Sequence, residues 1–202
     1  MLKLEVTKNR KAIIYFDMDG VLAKWNENAS VEETQVPGYF IAREPEQNVI
    51  RLVKFLKSLG LDIRILSAVY PNGFAEKEKK AWLERNDLGD IPAIFVPYGA
   101  DKYSYIDQSV LSNGTAILID DFKKNLEEWR YHGGIAIKFY NGINDRPHII
   151  FAEDKTARLV QDSWVGLSID HRESPAQMAA LILGVIEMGK SYITGEEELV
   201  DE

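Results

Sequence analysis

Short apolar runs alternate with amphipathic segments along this sequence, and this alternation constrains the fold more than any other feature. Runs rich in β-branched and aromatic residues predict five strands, at 12–16, 62–66, 92–97, 115–119 and 134–140. The segments between them carry helical patterns, as in βαβ crossovers, which favour a parallel sheet covered on both faces. We therefore predict a doubly wound, three-layer α/β fold of Rossmann-like type.

Four amphipathic helices are predicted between and after these strands. Apolar residues at three- and four-residue spacing indicate a helix from Pro45 to Gly60, and further helices span 74–85, contain Leu126 and Trp129, and run from Ser174 to Gly189. Ser174 and Pro175 suit the N-cap and first turn of the last helix. Short strands are also predicted at 149–151 and 165–169. Residues 24–45 show no clean period and predict a loop or a small irregular insertion.

Composition narrows the class of protein. The chain has 202 residues, of which 46% are hydrophobic and 10% aromatic, enough for a sizeable core. Its net charge of -8 would repel a long phosphate backbone, so we expect no polymeric nucleic acid as a partner. The absence of cysteine excludes disulfides, thiolate metal sites and cysteine nucleophiles. No apolar run approaches the roughly 18–20 residues that cross a bilayer, so we expect no membrane partner and a cytoplasmic location.

Polar side chains follow several of the predicted strands. In open parallel sheets, ligands bind beyond the carboxyl ends of the strands, so we expect these side chains to meet at one edge. They are Asp17, Asp19, Ser67, Asp101, Lys102, Asp120 and Asp121.

The acidic members of this set imply a cation. Asp17, Asp120 and Asp121, crowded in a partly desolvated cleft, would repel one another unless a divalent ion neutralised them. An all-oxygen ligand set favours Mg²⁺ over zinc. Mg²⁺ together with Lys102 would create an anion site within an acidic protein, and phosphate is the expected guest.

The Asp17-x-Asp19 spacing adds a mechanism. Residues two apart in an extended segment point the same way, so both carboxylates can reach one phosphoryl group. One could attack phosphorus while the other protonates the departing oxygen. Gly20 would let the chain turn tightly, while Ser67 and Lys102 would bind the phosphoryl oxygens.

Four stretches of this sequence resemble, in order, the motifs of the haloacid dehalogenase superfamily of phosphatases, over roughly residues 11–140. These stretches are Phe16-Asp17-Met18-Asp19-Gly20-Val21-Leu22, Ser67, Asp101-Lys102 and Leu118-Ile119-Asp120-Asp121. Within the superfamily, the Asp-Met-Asp-Gly-Val-Leu-Ala string, the Pro37-Gly38-Tyr39-Phe40 segment and the Ile-Asp-Asp ending are similar to the 5'(3')-deoxyribonucleotidases.

The resemblance implies specific roles. Asp17 would be the nucleophile that forms an aspartyl-phosphate, and Asp19 the acid/base whose main-chain carbonyl also binds Mg²⁺. Ser67, with Ala68 beside it, and Lys102 would hold phosphate, and one or both of Asp120 and Asp121 would complete the metal site. The family's cap would be residues 22–48, with Tyr39 and Phe40 meeting the nucleobase or sugar. The family's usual Thr-Ser-Pro is here Ser67-Ala68-Val69, and residues 145–202 form an extension without a clear counterpart.

We therefore expect a single-domain, Mg²⁺-dependent phosphomonoesterase that acts on nucleoside or deoxynucleoside monophosphates. The sequence leaves open a sugar-phosphate phosphatase, a phosphotransferase, and a poorly catalytic phosphate- or nucleotide-binding module with a protein partner. It also leaves open whether the last helix packs on the domain or forms a homodimer contact. Some assignments have plainer alternatives: Asp120 or Asp121 could cap the next helix, Tyr39 and Phe40 could be packing residues, and Lys123 or Lys124 could replace Lys102.

Overall fold

The strands form one six-stranded sheet and a separate hairpin in a computed structural model that describes residues 12–143, 148–151, 157–160 and 164–192. The sheet has the order β3-β2-β1-β4-β5-β8, and all its neighbouring pairs are parallel. β6 and β7 pair antiparallel. The strands are β1 (Ile13–Phe16), β2 (Asp62–Val69), β3 (Ala93–Pro97), β4 (Ala116–Asp120), β5 (Ile135–Tyr140), β6 (His148–Phe151), β7 (Ala157–Val160) and β8 (Leu167–Asp170).

Helices follow most of the strands, as the βαβ pattern requires. They are α1 (Gln47–Ser58), α2 (Ala75–Arg85), α3 (Gln108–Ser112), α4 (Lys123–Tyr131) and α5 (Pro175–Tyr192). The predicted start of α5 is confirmed: Gln177 N–H donates to Ser174 Oγ, and the Ser174 amide donates back to Gln177 Oε1, which is a reciprocal cap. None of the helices in the described part of the chain is long and apolar enough to cross a membrane.

Side chains of β1 alternate between two hydrophobic cores, one on each face of the sheet. Ile14 and Phe16 pack in the core that also contains apolar residues of α1, α2 and α5. Ile13 and Tyr15 pack in the core that contains Leu111 of α3 and residues of α4. The sheet is therefore the middle of three layers, and the predicted α/β architecture is confirmed.

The structure corrects two details of the sequence prediction. β2 continues to Val69, so Ser67 and Ala68 lie within the strand and not after it, because residues 65–69 pair with β3. The polar stretch after β3 contains a 3-10 turn at Lys102–Tyr105 and then α3, which periodicity did not reveal.

The predicted irregular insertion has little regular structure. Residues 24–45 contain one short 3-10 turn, Glu33–Gln35, among other turns. The boundaries of the cap at 22–48 and of the extension at 145–202 stay predictions. The acidic tail, 196–202, lies outside the described residues.

Candidate active site

Three carboxylates meet at the carboxyl end of the central strands. Asp17 follows β1, Asp120 ends β4 and Asp121 follows it, and the two strands are held in register because the Asp17 amide donates to Ile119 O at 2.9 Å. All three side chains are buried, and one carboxylate oxygen of each lies within 4.8 Å of the others. The predicted convergence of these residues therefore occurs.

Lys102 lies between two of these carboxylates. Its Nζ is 2.7 Å from Asp17 Oδ1 and 2.7 Å from Asp120 Oδ2, and its side chain is 3% exposed. Burial opposes the charge, but the carboxylates of Asp120 and Asp17 outweigh it and raise the pKa of Lys102. Lys102 therefore remains a cation and compensates part of the negative charge.

The remaining negative charge fits a metal ion. Burial raises the pKa of Asp17 to about 6, opposed by Lys102 and reinforced by Asp120 and Asp19. Burial, followed by the charges of Asp120 and Asp17, raises the pKa of Asp121 well above its ordinary value. These ionised carboxylates therefore destabilise one another, and a hard divalent cation would relieve the repulsion.

Neighbouring side chains orient the paired aspartates. Asp120 Oδ2 also accepts from Asn125 Nδ2 at 2.9 Å, and its Oδ1 accepts from the Phe122 amide at 2.8 Å. The N-cap position of α4 itself is Phe122, whose amide is the one that Asp120 accepts from. Asn141 Nδ2 donates to Asp121 Oδ2 at 2.8 Å.

Gly20 meets a steric requirement at this edge. Its φ is +82°, and a Cβ at this position would overlap the Asp121 carboxylate. Glycine therefore allows the turn after Asp19 to approach the acidic cluster closely.

Lys79 is a buried cation that the sequence analysis missed. Its Nζ lies 2.5 Å from Asp19 Oδ2, 3.0 Å from Ser67 Oγ and 2.6 Å from Ala68 O. Its side chain is fully buried. Lys79 shares a helix face with Ala75, four residues before it, and Trp82, three residues after it. That spacing was the available signal.

Tyr39 and Phe40 lie on the Lys79 side of the site. Phe40 is 1% exposed, packs on Ala75 and has its ring centre 4.9 Å from Lys79 Nζ. The Tyr39 ring contacts both Phe40 and Trp25 edge-on. Phe40 is thus a packing residue in this arrangement. The Tyr39 hydroxyl is buried and finds no hydrogen-bond partner among the described residues.

The two lysines considered as substitutes for Lys102 point elsewhere. Lys124 pairs with Asp101 and Glu128, and Lys123 pairs with Glu127. In each of these ion pairs at least one side chain is substantially exposed. Three buried lysines, Lys102, Lys79 and Lys138, therefore lie beside the aspartates. Lys138 Nζ donates to the Asp121 carbonyl at 2.7 Å.

Comparison with known proteins identifies the fold. The sequence matches no family model and no curated protein. Its structure is similar to that of D,D-heptose 1,7-bisphosphate phosphatase from Burkholderia thailandensis, with a TM-score of 0.55, 12% identity, and 86% of this chain and 99% of that chain covered. It is also similar to a haloacid dehalogenase-like hydrolase from Streptococcus pneumoniae, with a TM-score of 0.56, 14% identity, and 85% and 98% covered. The chain therefore has the α/β fold of the haloacid dehalogenase superfamily.

Proposed function

We propose that this protein is a Mg²⁺-dependent phosphomonoesterase that hydrolyses small phosphorylated metabolites, and that nucleoside or deoxynucleoside monophosphates are its substrates. The observation that carries the proposal is the position of Asp17. It lies at the end of β1, in contact with Lys102 and within 4.8 Å of ligand atoms of Asp120 and Asp121. A nucleophile, a fixed cation and a set of metal ligands are thereby brought together.

In the proposed first step, a carboxylate oxygen of Asp17 attacks phosphorus and forms an aspartyl-phosphate, while the bond from phosphorus to the leaving oxygen breaks. Asp19, whose side chain is 22% exposed, supplies the proton that the leaving oxygen takes up. Water then attacks phosphorus while Asp19 accepts its proton, the bond from phosphorus to the Asp17 oxygen breaks, and phosphate leaves with the Asp17 carboxylate regenerated.

Other residues would stabilise the charge that develops during transfer. Lys102 and Lys79, with the Ser67 hydroxyl, would donate to the phosphoryl oxygens on either side of Asp17. Bound Mg²⁺, held by Asp17, Asp120 or Asp121 and the main-chain carbonyl of Asp19, would neutralise phosphoryl oxygens as a Lewis acid. The all-oxygen donor set supports this choice of ion.

The surroundings of the site support an organic leaving group of moderate size. Trp25, Tyr39 and Tyr70 pack around the buried Phe40 ring, and Tyr98, which is largely exposed, stacks on Tyr70 with ring centres 4.3 Å apart. Flat aromatic surfaces suit a nucleobase. A sugar phosphate is the second candidate, favoured by the likeness to a protein named as a heptose bisphosphate phosphatase.

Purified protein should release inorganic phosphate from a panel of nucleotides and sugar phosphates only when Mg²⁺ is present. Asp17→Asn should abolish release, whereas Asp101→Asn, which changes a substantially exposed carboxylate next to Lys102, should retain it. Wild-type activity in Asp17→Asn would refute the nucleophile assignment. Metal-dependent binding without any turnover would instead favour a binding module, and phosphorylated products from competing alcohols would favour a phosphotransferase.

A further inference from the structure

A cavity opens at the carboxyl edge of the sheet, on the β5 and β8 side of the aspartates. Its volume is about 250 Å³. This is somewhat below the roughly 300–1,000 Å³ of sites for drug-sized ligands, so a group of about the size of a sugar ring suits it. The residues that line it include Gly20, Lys24, Trp25, Glu46, Asn141 and His171.

The cavity shares a wall with the acidic cluster. Asn141 lines it and donates from Nδ2 both to Asp121 Oδ2, at 2.8 Å, and to the Gly20 carbonyl, at 3.0 Å. Gly20 in turn is three residues beyond Asp17 and lies against Asp121. Gly20 and Asn141 therefore contact Asp121 and line the cavity at the same time, which places the cavity next to the acidic cluster.

Among the described residues, the Glu46 carboxylate in this cavity has no hydrogen-bond partner. The residue is half-buried just before α1, and the described residues offer its carboxylate no hydrogen-bond donor and no ion-pair partner within range. Burial raises its pKa, while the charges of Lys24 and His171 lower it. A half-buried carboxylate without donors leaves strong hydrogen-bond acceptors unused.

The chemistry of these groups points to hydroxyls. The two oxygens of a carboxylate can accept from two adjacent hydroxyl groups, as an acidic residue does with ribose in dinucleotide-binding folds. The half-buried Trp25 ring gives the cavity an apolar wall, against which the carbon face of a sugar can pack. Lys24 beside Glu46 argues against a second metal ion, because it places positive charge at the same carboxylate.

We propose that this cavity is the leaving-group site, and that Glu46 selects substrates whose leaving group carries two adjacent hydroxyls. The proposal rests on the proposed phosphomonoesterase function and narrows its substrates. A ribonucleoside monophosphate and a ribose phosphate both offer that pair of hydroxyls, and their 2-deoxy counterparts lack it.

The test uses two matched pairs of substrates: uridine and deoxyuridine 5'-monophosphate, and ribose and 2-deoxyribose 5-phosphate. In whichever pair is hydrolysed, the kcat/KM of the wild-type protein should be at least about tenfold higher for the hydroxylated member. The difference should come from a lower KM, because a site built for hydroxyls rejects an analogue without them. The pair that is hydrolysed tells a nucleotide from a sugar phosphate.

Glu46→Gln should reduce that preference to less than about twofold, because one acceptor oxygen becomes a donor group. Glu32→Gln is the matched control: it removes an equal charge from an exposed position in the 24–45 segment and should keep the preference. Equal rates on both members in the wild type, or an unchanged preference in Glu46→Gln, would overturn the proposal.

A binding measurement separates this proposal from the proposed function. The indole N–H signal of Trp25, assigned with Trp25→Phe, should shift on addition of uridine or ribose and shift far less in Glu46→Gln. If no phosphomonoester is hydrolysed, the proposed function fails, and this titration alone decides the cavity. If hydrolysis proceeds while Trp25 does not respond, the cavity assignment is wrong.

Discussion

Glu78 and Lys79 are consecutive residues of α2, yet they hold two different parts of the molecule. The Glu78 carboxylate accepts from the backbone amides of Gly38, at 2.6 Å, and Phe40, at 3.0 Å. The Lys79 ammonium contacts Asp19. One turn further on, Trp82 Nε1 donates to the Arg43 carbonyl at 2.7 Å. α2 therefore connects the aromatic turn to the aspartate pair through hydrogen bonds.

Replacement of Glu78 by Gln should weaken the attachment of the aromatic turn to α2. The amide cannot accept at both oxygen positions, so at least one partly buried N–H loses its partner, and the free energy of unfolding should fall by about 1–3 kcal/mol. Urea denaturation measures the loss, and hydrogen exchange should be faster at the Gly38 and Phe40 amides. Glu76→Gln, at an exposed position of the same helix, should change stability by less than about 0.5 kcal/mol. Similar losses in both variants would contradict the role of Glu78.

Gly20→Ala and Gly60→Ala form a matched pair. Both glycines have positive φ, +82° and +79°, but only the Cβ at Gly20 would overlap Asp121, while that at Gly60 meets open space. Gly60→Ala should cost about 1–2 kcal/mol for the left-handed backbone. Gly20→Ala should cost about 1–3 kcal/mol more, because of overpacking. Denaturation midpoints compare the two, and equal losses would show that the contact with Asp121 is unimportant.

Mg²⁺ should stabilise the protein because it relieves repulsion among Asp17, Asp120 and Asp121. At a free concentration 100 times its Kd, the gain in the free energy of unfolding should be about 2.7 kcal/mol. Asp121→Asn should lose most of this gain, yet be no less stable than the wild type without metal, since the ionised carboxylate is itself unfavourable there. Thermal melts with Mg²⁺ and with chelator test both points. An undiminished response in Asp121→Asn would remove this residue from the metal site.

Arg172→Met should lower the free energy of unfolding at neutral pH but not in acid. Hydrogen bonding from Arg172 lowers the pKa of Asp170 to about 2. A carboxyl group whose pKa is lowered by folding stabilises the fold above its unfolded pKa, near 3.9, and this contribution disappears as the pH falls through 2. The Arg172 side chain is 77% exposed, so we expect a difference of less than about 1 kcal/mol at neutral pH. Urea unfolding at several pH values and the carboxyl carbon shift of Asp170 provide the measurements. A difference that persists at the acid limit would contradict this assignment.

Most of the elements were accessible from local patterns, because periodicity and strand composition are properties of neighbouring residues. The end of β2 was not, since Ser67 and Ala68 become part of the strand only by pairing with β3. The packing of Phe40 on Ala75 was not accessible either, because it depends on the contact between α2 and the turn that contains Phe40.

The sequence by itself determined the alternation of strands and helices and the acidic residues that follow β1 and end β4. It also predicted Lys102 beside those acids, whereas tertiary structure alone added Lys79 and Lys138. Lys102 reaches Asp17, and Lys79 reaches Asp19 across 60 positions of the chain. Tertiary structure also leaves Glu46 facing a cavity whose described lining comes from four separate segments. Charge pairing arises from the packing of segments distant in sequence, so local periodicity indicates which helix face is buried but not which charges meet there.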